Sequence, residues 1–245
     1  MTGSRTAAAV PHGRAACVPT ALWLLPCADD AQWLQAVICR LAQQHGGPVF
    51  DPHVTLHVGD WPQQVDPARL ISEIAALWPS LNLSTQATSE SDVYYRSLYL
   101  EIAEDRFDGV HLGRLRRQLV LALQEASTGI SSEARGSETS QRSETSPRSE
   151  TTPESERALI TSTHLDRALA SYDFSPHLSL LYGKLSQPLR AALARQNDFS
   201  RRSIRFDRLA AVRPAPGCPD LSEVAYWKVF GHRQMTALTG RGAGT

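Results

Sequence analysis

The sequence predicts an α+β fold of two similar lobes, and three observations lead to this prediction. Strand patterns and helix patterns alternate along the chain. One strand motif occurs twice, as Phe-Asp-Pro-His-Val-Thr-Leu at 50–56 and as Phe-Ser-Pro-His-Leu-Ser-Leu at 174–180. The two copies lie far apart, as in the halves of a duplicated fold. We therefore expect each lobe to be a sheet with helices on its outer face, and the two histidine strands to meet at the junction.

Apolar spacing and helix-stop residues predict the elements of the first half of the chain. They are, in order, a strand at 18–25, a helix between the cap Asp29-Asp30 and the stop Gly46-Gly47-Pro48, the first histidine strand, a helix between Asp66-Pro67 and Pro79, strands at 81–88 and 97–103, and a helix at 107–126. Three arginines of the last helix resemble a phosphate-binding patch, but a solvated helix face is the preferred interpretation for Arg114, Arg116 and Arg117.

The composition changes abruptly after this helix. Between Ser131 and Arg157 the only apolar side chain is Ala134, and Ser-Glu-Thr recurs at 137, 143 and 149. Such a segment cannot bury enough apolar surface to offset the entropy of ordering it. We expect 131–156 to be a disordered insertion in one domain at 17–232, with tails at 1–16 and 233–245.

The second half repeats the alternation of helices and strands. Its predicted elements are a helix at 158–170, the second histidine strand, a helix at 186–196, and strands at 203–212 and 224–230.

Composition excludes several classes of protein. Lys+Arg and Asp+Glu both number 25, so the net charge is zero and a long nucleic acid is not an expected partner. No stretch approaches the ~20 apolar residues of a membrane span. The four cysteines lack the close pairs of a zinc site and are too few for a disulfide scaffold. We expect a cytoplasmic monomer, although residues 1–28 contain two arginines and no acid and could alternatively form a transit peptide.

The repeated motif carries the candidate active site. Apolar and polar positions alternate after each Pro, and in each copy the His and the hydroxyl residue lie two apart, on the same face of a strand. A single His in a strand is usually structural, but a second one in the same context favours a shared site. His53, Thr55, His177 and Ser179 are therefore predicted to surround one small anion.

The paired His-x-Thr and His-x-Ser motifs resemble the 2H phosphoesterase superfamily, and Pro-His-Leu-Ser-Leu-Leu-Tyr-Gly at 176–183 is similar to its cyclic phosphodiesterase branch. The resemblance covers Val18 to Phe230 apart from the insertion. It implies two antiparallel sheets facing a water-filled central cleft. It also implies a small substrate, either a nucleoside 2′,3′-cyclic phosphate opened to the 2′-phosphate or an ADP-ribose 1″,2″-cyclic phosphate opened to the 1″-phosphate.

The residue types suit this chemistry. His53 and His177 can act as general base and general acid at neutral pH, although the sequence does not assign the two roles. Thr55 and Ser179 can donate hydrogen bonds to the phosphate oxygens. None of these roles needs a metal or another cofactor. An alternative site, with His53 and His57 as metal ligands on one strand face, lacks a further ligand at the equivalent position of the second motif, Leu181.

Two aromatic residues, Tyr182 and Trp23, match positions of this superfamily. Tyr182 matches a family Tyr that follows the second motif, so it either supports the substrate or closes a strand end. Trp23 resembles a family position near the bound nucleotide, but core packing is the preferred interpretation.

Two other functions remain open. One is a phosphodiesterase of the same superfamily that acts on RNA ends with a 2′,3′-cyclic phosphate, which a basic track with exposed aromatics would favour. The other is a nucleotide-binding protein without turnover, against which the complete set of His, Thr, His and Ser argues.

Overall fold

The computed structural model describes residues 17–62, 65–103, 110–136, 174–214 and 227–236. Their strands are β1 (Cys17–Pro26), β2 (Val54–Pro62), β3 (Leu81–Glu90), β4 (Leu98–Ile102), β5 (His177–Leu181), β6 (Ser203–Pro214) and β7 (Trp227–Gln234). Their helices are α1 (Ala28–His45), α2 (Pro67–Leu77), α3 (Val110–Gly136) and α4 (Gln187–Gln196), together with a 3₁₀ turn (Tyr94–Arg96).

The strands form one antiparallel sheet in the order β1-β2-β5-β4-β3-β6-β7, in which β1 also pairs with β6. The α+β class is thus confirmed. The two expected sheets are the two parts of this larger sheet, β1-β2-β6-β7 and β3-β4-β5. They join where β2 pairs with β5 and where β3 pairs with β6. The histidine strands lie at the first of these junctions, as the duplicated pattern predicts.

The main hydrophobic core lies between one face of the sheet and the helices. Alternate strand residues such as Leu24, Val54, Leu100 and Leu178 are fully buried in it. All four helices contribute apolar side chains to the same core; examples are Leu34 of α1, Ile71 of α2, Leu115 of α3 and Leu193 of α4. Because the helices cover this face, the side chains between the buried positions project from the other face. None of the helices in the described ranges is apolar over enough of its length to cross a membrane.

The helix ends show one prediction that is right and one that is wrong. Asp66 is the N-cap of α2, and its carboxylate accepts a hydrogen bond of 2.9 Å from the Ala68 N–H. At α1, however, the N-cap is Cys27 rather than Asp29-Asp30, and no side chain caps it. The Asp30 carboxylate instead accepts hydrogen bonds from the Arg205 N–H and the Trp33 indole. It therefore ties α1 to β6, while the negative charges of the first turn still suit the helix dipole.

Two predicted boundaries also differ. α3 continues to Gly136 and so includes residues 131–136 of the expected insertion, while residues 137–156 lie outside the described ones. At the other end, residues 233–236 belong to the fold: Met235 is buried, and Thr236 donates a hydrogen bond to the Trp78 carbonyl. The predicted tail 1–16 and helix 158–170 lie outside the described residues.

Candidate active site

The two histidine motifs meet where β2 pairs with β5. The strands run antiparallel, and Val54 is paired with Leu178. Both of these side chains are fully buried in the core. Because successive side chains of a strand point to opposite faces, the residues on either side of them project from the face that the helices do not cover.

The register then determines how four polar side chains are arranged. Continued by one residue in each direction, it sets His53 opposite Ser179 and Thr55 opposite His177. Directly opposed residues on antiparallel strands have Cβ atoms about 4.5–5.5 Å apart, and diagonal neighbours lie about 7–8 Å apart. The two imidazoles therefore occupy one diagonal of a four-residue square, and the two hydroxyls occupy the other. A tetrahedral anion above the square can face both rings.

Each imidazole is oriented by a main-chain carbonyl two residues before it. His53 Nδ1 lies 2.6 Å from the Asp51 carbonyl oxygen, and His177 Nδ1 lies 2.6 Å from the Ser175 carbonyl oxygen. Since a carbonyl can only accept, Nδ1 of each ring carries the proton, and Nε2 of the neutral ring holds the lone pair. These carbonyls were not identified from the sequence. The signal was the Pro before each His, because a residue that precedes Pro is held in an extended conformation.

Burial dominates the electrostatics of both rings. It lowers the pKa of His53 from 6.5 to about 4, against the opposing effect of the hydrogen bond to Asp51 and with a further lowering by positive charge on His177. The pKa of His177 is also lowered by burial, and the Arg96 guanidinium acts in the same direction. Both imidazoles are therefore neutral at pH 7 in the unliganded protein, and each can accept a proton at Nε2.

Trp23 lies directly against the first histidine. Its ring stacks on the His53 imidazole with centroids 3.7 Å apart and planes 10° apart, and the side chain is 4% exposed. It packs with Ala21, Ala210 and Val212 in a small apolar cluster on the face that carries the histidines. Trp23 is thus a packed residue, as preferred from the sequence, but the residue it packs against is His53.

Tyr182 lies one layer further from the histidines. Its ring stacks on Phe50, with centroids 3.8 Å apart, and Phe50 in turn meets the His53 ring edge-on at 6.3 Å. Tyr94 and Tyr95 complete this aromatic cluster. Tyr182 therefore supports the first histidine through Phe50, the first residue of the repeated motif.

The two hydroxyl residues have different surroundings. The Ser179 hydroxyl donates a hydrogen bond of 2.6 Å to the Tyr95 carbonyl, and its side chain is buried. The Thr55 hydroxyl has no hydrogen-bond partner among the residues that the structure describes. Thr55 can therefore donate to an anion directly, whereas Ser179 must first release Tyr95.

His57 does not share a face with His53 and Thr55, so this expectation from the sequence is wrong. The pairing of β1 with β2 shifts between Leu22, which faces His57, and Trp23, which faces Thr55. This β-bulge places one extra residue in β2 and reverses the alternation. His57 therefore lies on the core side with Leu22, where burial and the positive charge of Arg116 lower its pKa to about 4.

The bulge separates the two proposed metal ligands, His53 and His57, to opposite faces of the sheet. In the described part of the chain, no group of three or more His, Cys, Asp or Glu side chains could hold a metal ion.

The arginine patch of α3 is also divided. Arg114 and Arg117 are exposed as expected, but Arg116 is buried with its guanidinium 4.9 Å from the centre of the Phe174 ring.

Two polar residues beside the second histidine were missed. In the pairing of β4 with β5, Tyr99 faces Ser179 and Glu101 faces His177. Tyr99 meets the His177 ring edge-on at 5.5 Å, and the Glu101 carboxylate accepts a hydrogen bond of 2.6 Å from Ser89. The sequence marked β4 as a strand but contained no signal for the strand it would pair with, so these neighbours could not be found.

Comparisons with known proteins show the family and the fold of the chain. The sequence model of a family described as cyclic phosphodiesterase-like protein matches residues 18–199, which include both histidine motifs. No curated protein sequence matches the chain. The crystal structure of TT0787 of Thermus thermophilus is similar with a TM-score of 0.51 and 14% identity, covering 90% of this chain and 99% of that chain. It supports a common fold.

Crystal structures of E. coli LigT are similar at a lower level. The apo form gives a TM-score of 0.44 and 15% identity, and the complex with 3′-AMP gives 0.46 and 12%. In both cases 90% of this chain and 98% of the other are covered.

Proposed function

Because the chain belongs to the cyclic phosphodiesterase-like family, we propose that it hydrolyses ribose cyclic phosphates with His53 and His177 as its acid–base pair. The substrate would be a nucleoside 2′,3′-cyclic phosphate opened to the 2′-phosphate, an ADP-ribose 1″,2″-cyclic phosphate opened to the 1″-phosphate, or both. The observation that carries the proposal is the pairing of Val54 with Leu178, which brings the two histidine motifs onto one face.

The proposed reaction needs one proton taken and one proton given. One neutral imidazole accepts a proton from water at Nε2, and the water oxygen forms a new bond to phosphorus. The bond from phosphorus to one ribose oxygen breaks, and the protonated imidazole on the other side gives its Nε2 proton to that oxygen. The two rings thereby exchange protonation states, and proton exchange with solvent restores the starting form. The carbonyls of Asp51 and Ser175 keep Nδ1 protonated throughout.

Substrate binding supplies the charged imidazole that this reaction requires. Burial keeps both rings neutral in the unliganded site. A phosphodiester brings one negative charge between them, and an opposite charge within about 4–6 Å favours the protonated form of a His. The two rings share this proton as a coupled pair, so the pH profile belongs to the pair rather than to one named residue.

The hydroxyls of Thr55 and Ser179 hold the phosphate in this proposal. Their diagonal, opposite to that of the imidazoles, directs them at the non-bridging oxygens, on which negative charge is held through the transition state. Thr55 donates without rearrangement. Ser179 exchanges its hydrogen bond to Tyr95 for one to the phosphate.

The test is an assay of purified protein on a nucleoside 2′,3′-cyclic phosphate, ADP-ribose cyclic phosphate and an RNA with a terminal cyclic phosphate, with identification of the product isomer. We expect the small nucleotides to be opened, with the 2′-phosphate as product of the first. Turnover should survive exhaustive chelation, since every proposed role belongs to an imidazole or a hydroxyl. Tight binding of all three compounds without hydrolysis would instead indicate a nucleotide-binding protein. Loss of turnover on chelation, reversed by adding one divalent ion, would reject the metal-independent mechanism.

A further inference from the structure

An open groove of about 330 Å³ lies beside His177. Its polar lining comes from Gln86, Arg96, Glu101 and Ser175, and its apolar and aromatic lining from Tyr99, Ile102, Phe174 and Pro176. Since β4 and β3 follow β5 on the side opposite to β2, the groove leads away from His53. A substrate whose cyclic phosphate lies between the two imidazoles can extend into it.

The 3₁₀ turn that carries Arg96 is fixed to the end of the second histidine motif. The Ser179 hydroxyl donates to the Tyr95 carbonyl, and the Gly183 N–H donates to the Tyr94 carbonyl at 3.0 Å. The Ser97 hydroxyl, which follows the turn, donates to the Gly183 carbonyl. These bonds position the backbone of Arg96 relative to His177 before any ligand binds.

The Arg96 side chain is positioned as well, but it has no anionic partner within the described part of the chain. Its guanidinium lies 4.5 Å from the centre of the Tyr99 ring, and Tyr99 contacts His177. Its buried Nε–H has no hydrogen-bond partner, and the guanidinium forms no ion pair with any residue that the structure describes. A buried donor without a partner is rare and destabilising, and the fork of a guanidinium held in place matches the geometry of a phosphate or a carboxylate.

We propose that Arg96 binds a second phosphate of the substrate, carried on the 5′ oxygen of the ribose that bears the cyclic phosphate. The inference rests on the proposed function of the same site. Tyr99 faces Ser179 across β4 and β5, so Arg96 lies beyond the four-residue square and not above it. It is therefore placed for a different group from the one that reacts. When the 2′ and 3′ oxygens form the ring, the 5′ oxygen is the remaining ester position of a nucleoside ribose.

The two sides of the site differ in a way that supports this orientation. On the β1 side Trp23, Ala21 and Val212 form a small apolar cluster beside His53. On the β4 side lie a guanidinium, a carboxylate and an amide, from Arg96, Glu101 and Gln86. The carboxylate and amide suit ribose hydroxyls, and only the guanidinium suits a phosphate. The groove thus offers a guanidinium to a phosphate and polar groups to the ribose that carries it.

The experiment compares adenosine 2′,3′-cyclic phosphate with the same compound phosphorylated at the 5′ position. We expect the kcat/KM of wild type to be on the order of tenfold higher for the 5′-phosphorylated substrate. This is the gain that one hydrogen-bonded contact between charged groups supplies. In Arg96→Gln this ratio should fall to near one, whatever the absolute rates. Arg195→Gln, which removes an exposed positive charge from the last turn of α4, should keep the wild-type ratio.

Two outcomes would overturn the inference while leaving the proposed function intact: equal kcat/KM on the two substrates in wild type, or an equal loss on both in a folded Arg96→Gln protein. Calorimetric binding of adenosine 2′-phosphate and adenosine 2′,5′-bisphosphate measures the same preference without turnover. It therefore decides the role of Arg96 even if no cyclic phosphate is hydrolysed, which would count against the proposed function alone. Arg96→Lys, which keeps the positive charge, is the second variant to measure if Arg96→Gln does not fold.

A further pair of substrates separates the sources of the 5′-phosphate. If a dinucleotide with a 3′-terminal cyclic phosphate gains as much from Arg96 as the 5′-phosphorylated mononucleotide, the residue accepts an internucleotide phosphate. If only the mononucleotide gains, it accepts a terminal phosphate. A gain for neither contradicts the inference.

Discussion

At the scale of single residues, His53, His57 and His177 show how the environment of a side chain distinguishes residues of the same type. His53 directly precedes β2 and His57 lies within it, and burial lowers the pKa of both to about 4. Yet His53 donates an orienting hydrogen bond from Nδ1 to the carbonyl two residues before it, as His177 does. The pattern Phe-x-Pro-His, and not the presence of a buried imidazole, distinguishes the proposed catalytic rings.

The first prediction concerns His57 and pH. Its pKa is about 4 in the folded protein and 6.5 in the unfolded one, so the unfolded state binds more protons between these values. The stabilising effect is complete above pH 6.5 and is lost as the pH falls toward 4. At 1.36 kcal/mol for each pKa unit, His57 should account for a loss of about 2 kcal/mol in the free energy of unfolding between pH 7 and pH 5.

Urea unfolding of wild type and His57→Gln at the two pH values measures this contribution. The variant should lose less stability between pH 7 and pH 5, and its turnover at pH 7 should stay near that of wild type. A folded His57→Gln protein without turnover would show that His57 takes part in the reaction.

The second prediction separates the two hydroxyls. Thr55→Val and Ser179→Ala should each lower kcat/KM by less than loss of a histidine, because each removes one phosphate donor and leaves the proton path in place. Only Ser179→Ala should also lower stability, by about 1 kcal/mol for the lost hydrogen bond to Tyr95. Thr55→Ser, which keeps its hydroxyl, is the matched control. Equal stability of Ser179→Ala and wild type would contradict the bond to Tyr95.

At the scale of elements, the sequence predicted what depends on local pattern and failed where distant strands decide. The α2 cap at Asp66 was predicted because the N–H group that donates to it, that of Ala68, is only two residues away. The α1 cap was not, because the Arg205 N–H of β6 competes for the Asp30 carboxylate. The reversal at His57 likewise arises from the pairing of β1 with β2, which strict alternation within β2 cannot reveal.

The third prediction concerns the segment after α3. Residues 137–156 contain Ser, Glu, Thr, Arg, Gln and Pro but no large apolar side chain. Replacing them with a short Gly/Ser linker should leave the melting temperature and kcat/KM nearly unchanged, because the entropy of loop closure varies weakly with loop length. A scrambled segment of the same composition is the control. Loss of turnover in a linker variant that still folds would show that this segment contributes to the cleft.

At the scale of the whole molecule, the duplicated motif determines the architecture. Each copy buries its aliphatic residues against the helices and directs His and hydroxyl to the opposite face. The sequence indicated the two copies, the faces they use and the junction where they meet. The groove beside His177 could not be predicted, because β3, β4 and the 3₁₀ turn carry no motif and meet the second copy of the repeated motif only in the folded sheet.

In the proposed function, the two histidine motifs act together as one catalytic unit. His53→Ala and His177→Ala should each reduce turnover of a cyclic nucleotide by ~10²–10⁴-fold, since each removes an acid or a base. The double variant should be far less impaired than the product of the two single effects, because groups that act as a unit are not additive.

The most direct measurement is the turnover of a nucleoside 2′,3′-cyclic phosphate by His177→Ala, with circular dichroism to establish that the variant is folded. His177 lies at the start of β5 and is partly exposed, so its loss should leave the fold intact. We expect a loss of at least ~10²-fold in kcat. A folded His177→Ala protein that turns over at nearly the wild-type rate would contradict it, because the second motif would then be structural.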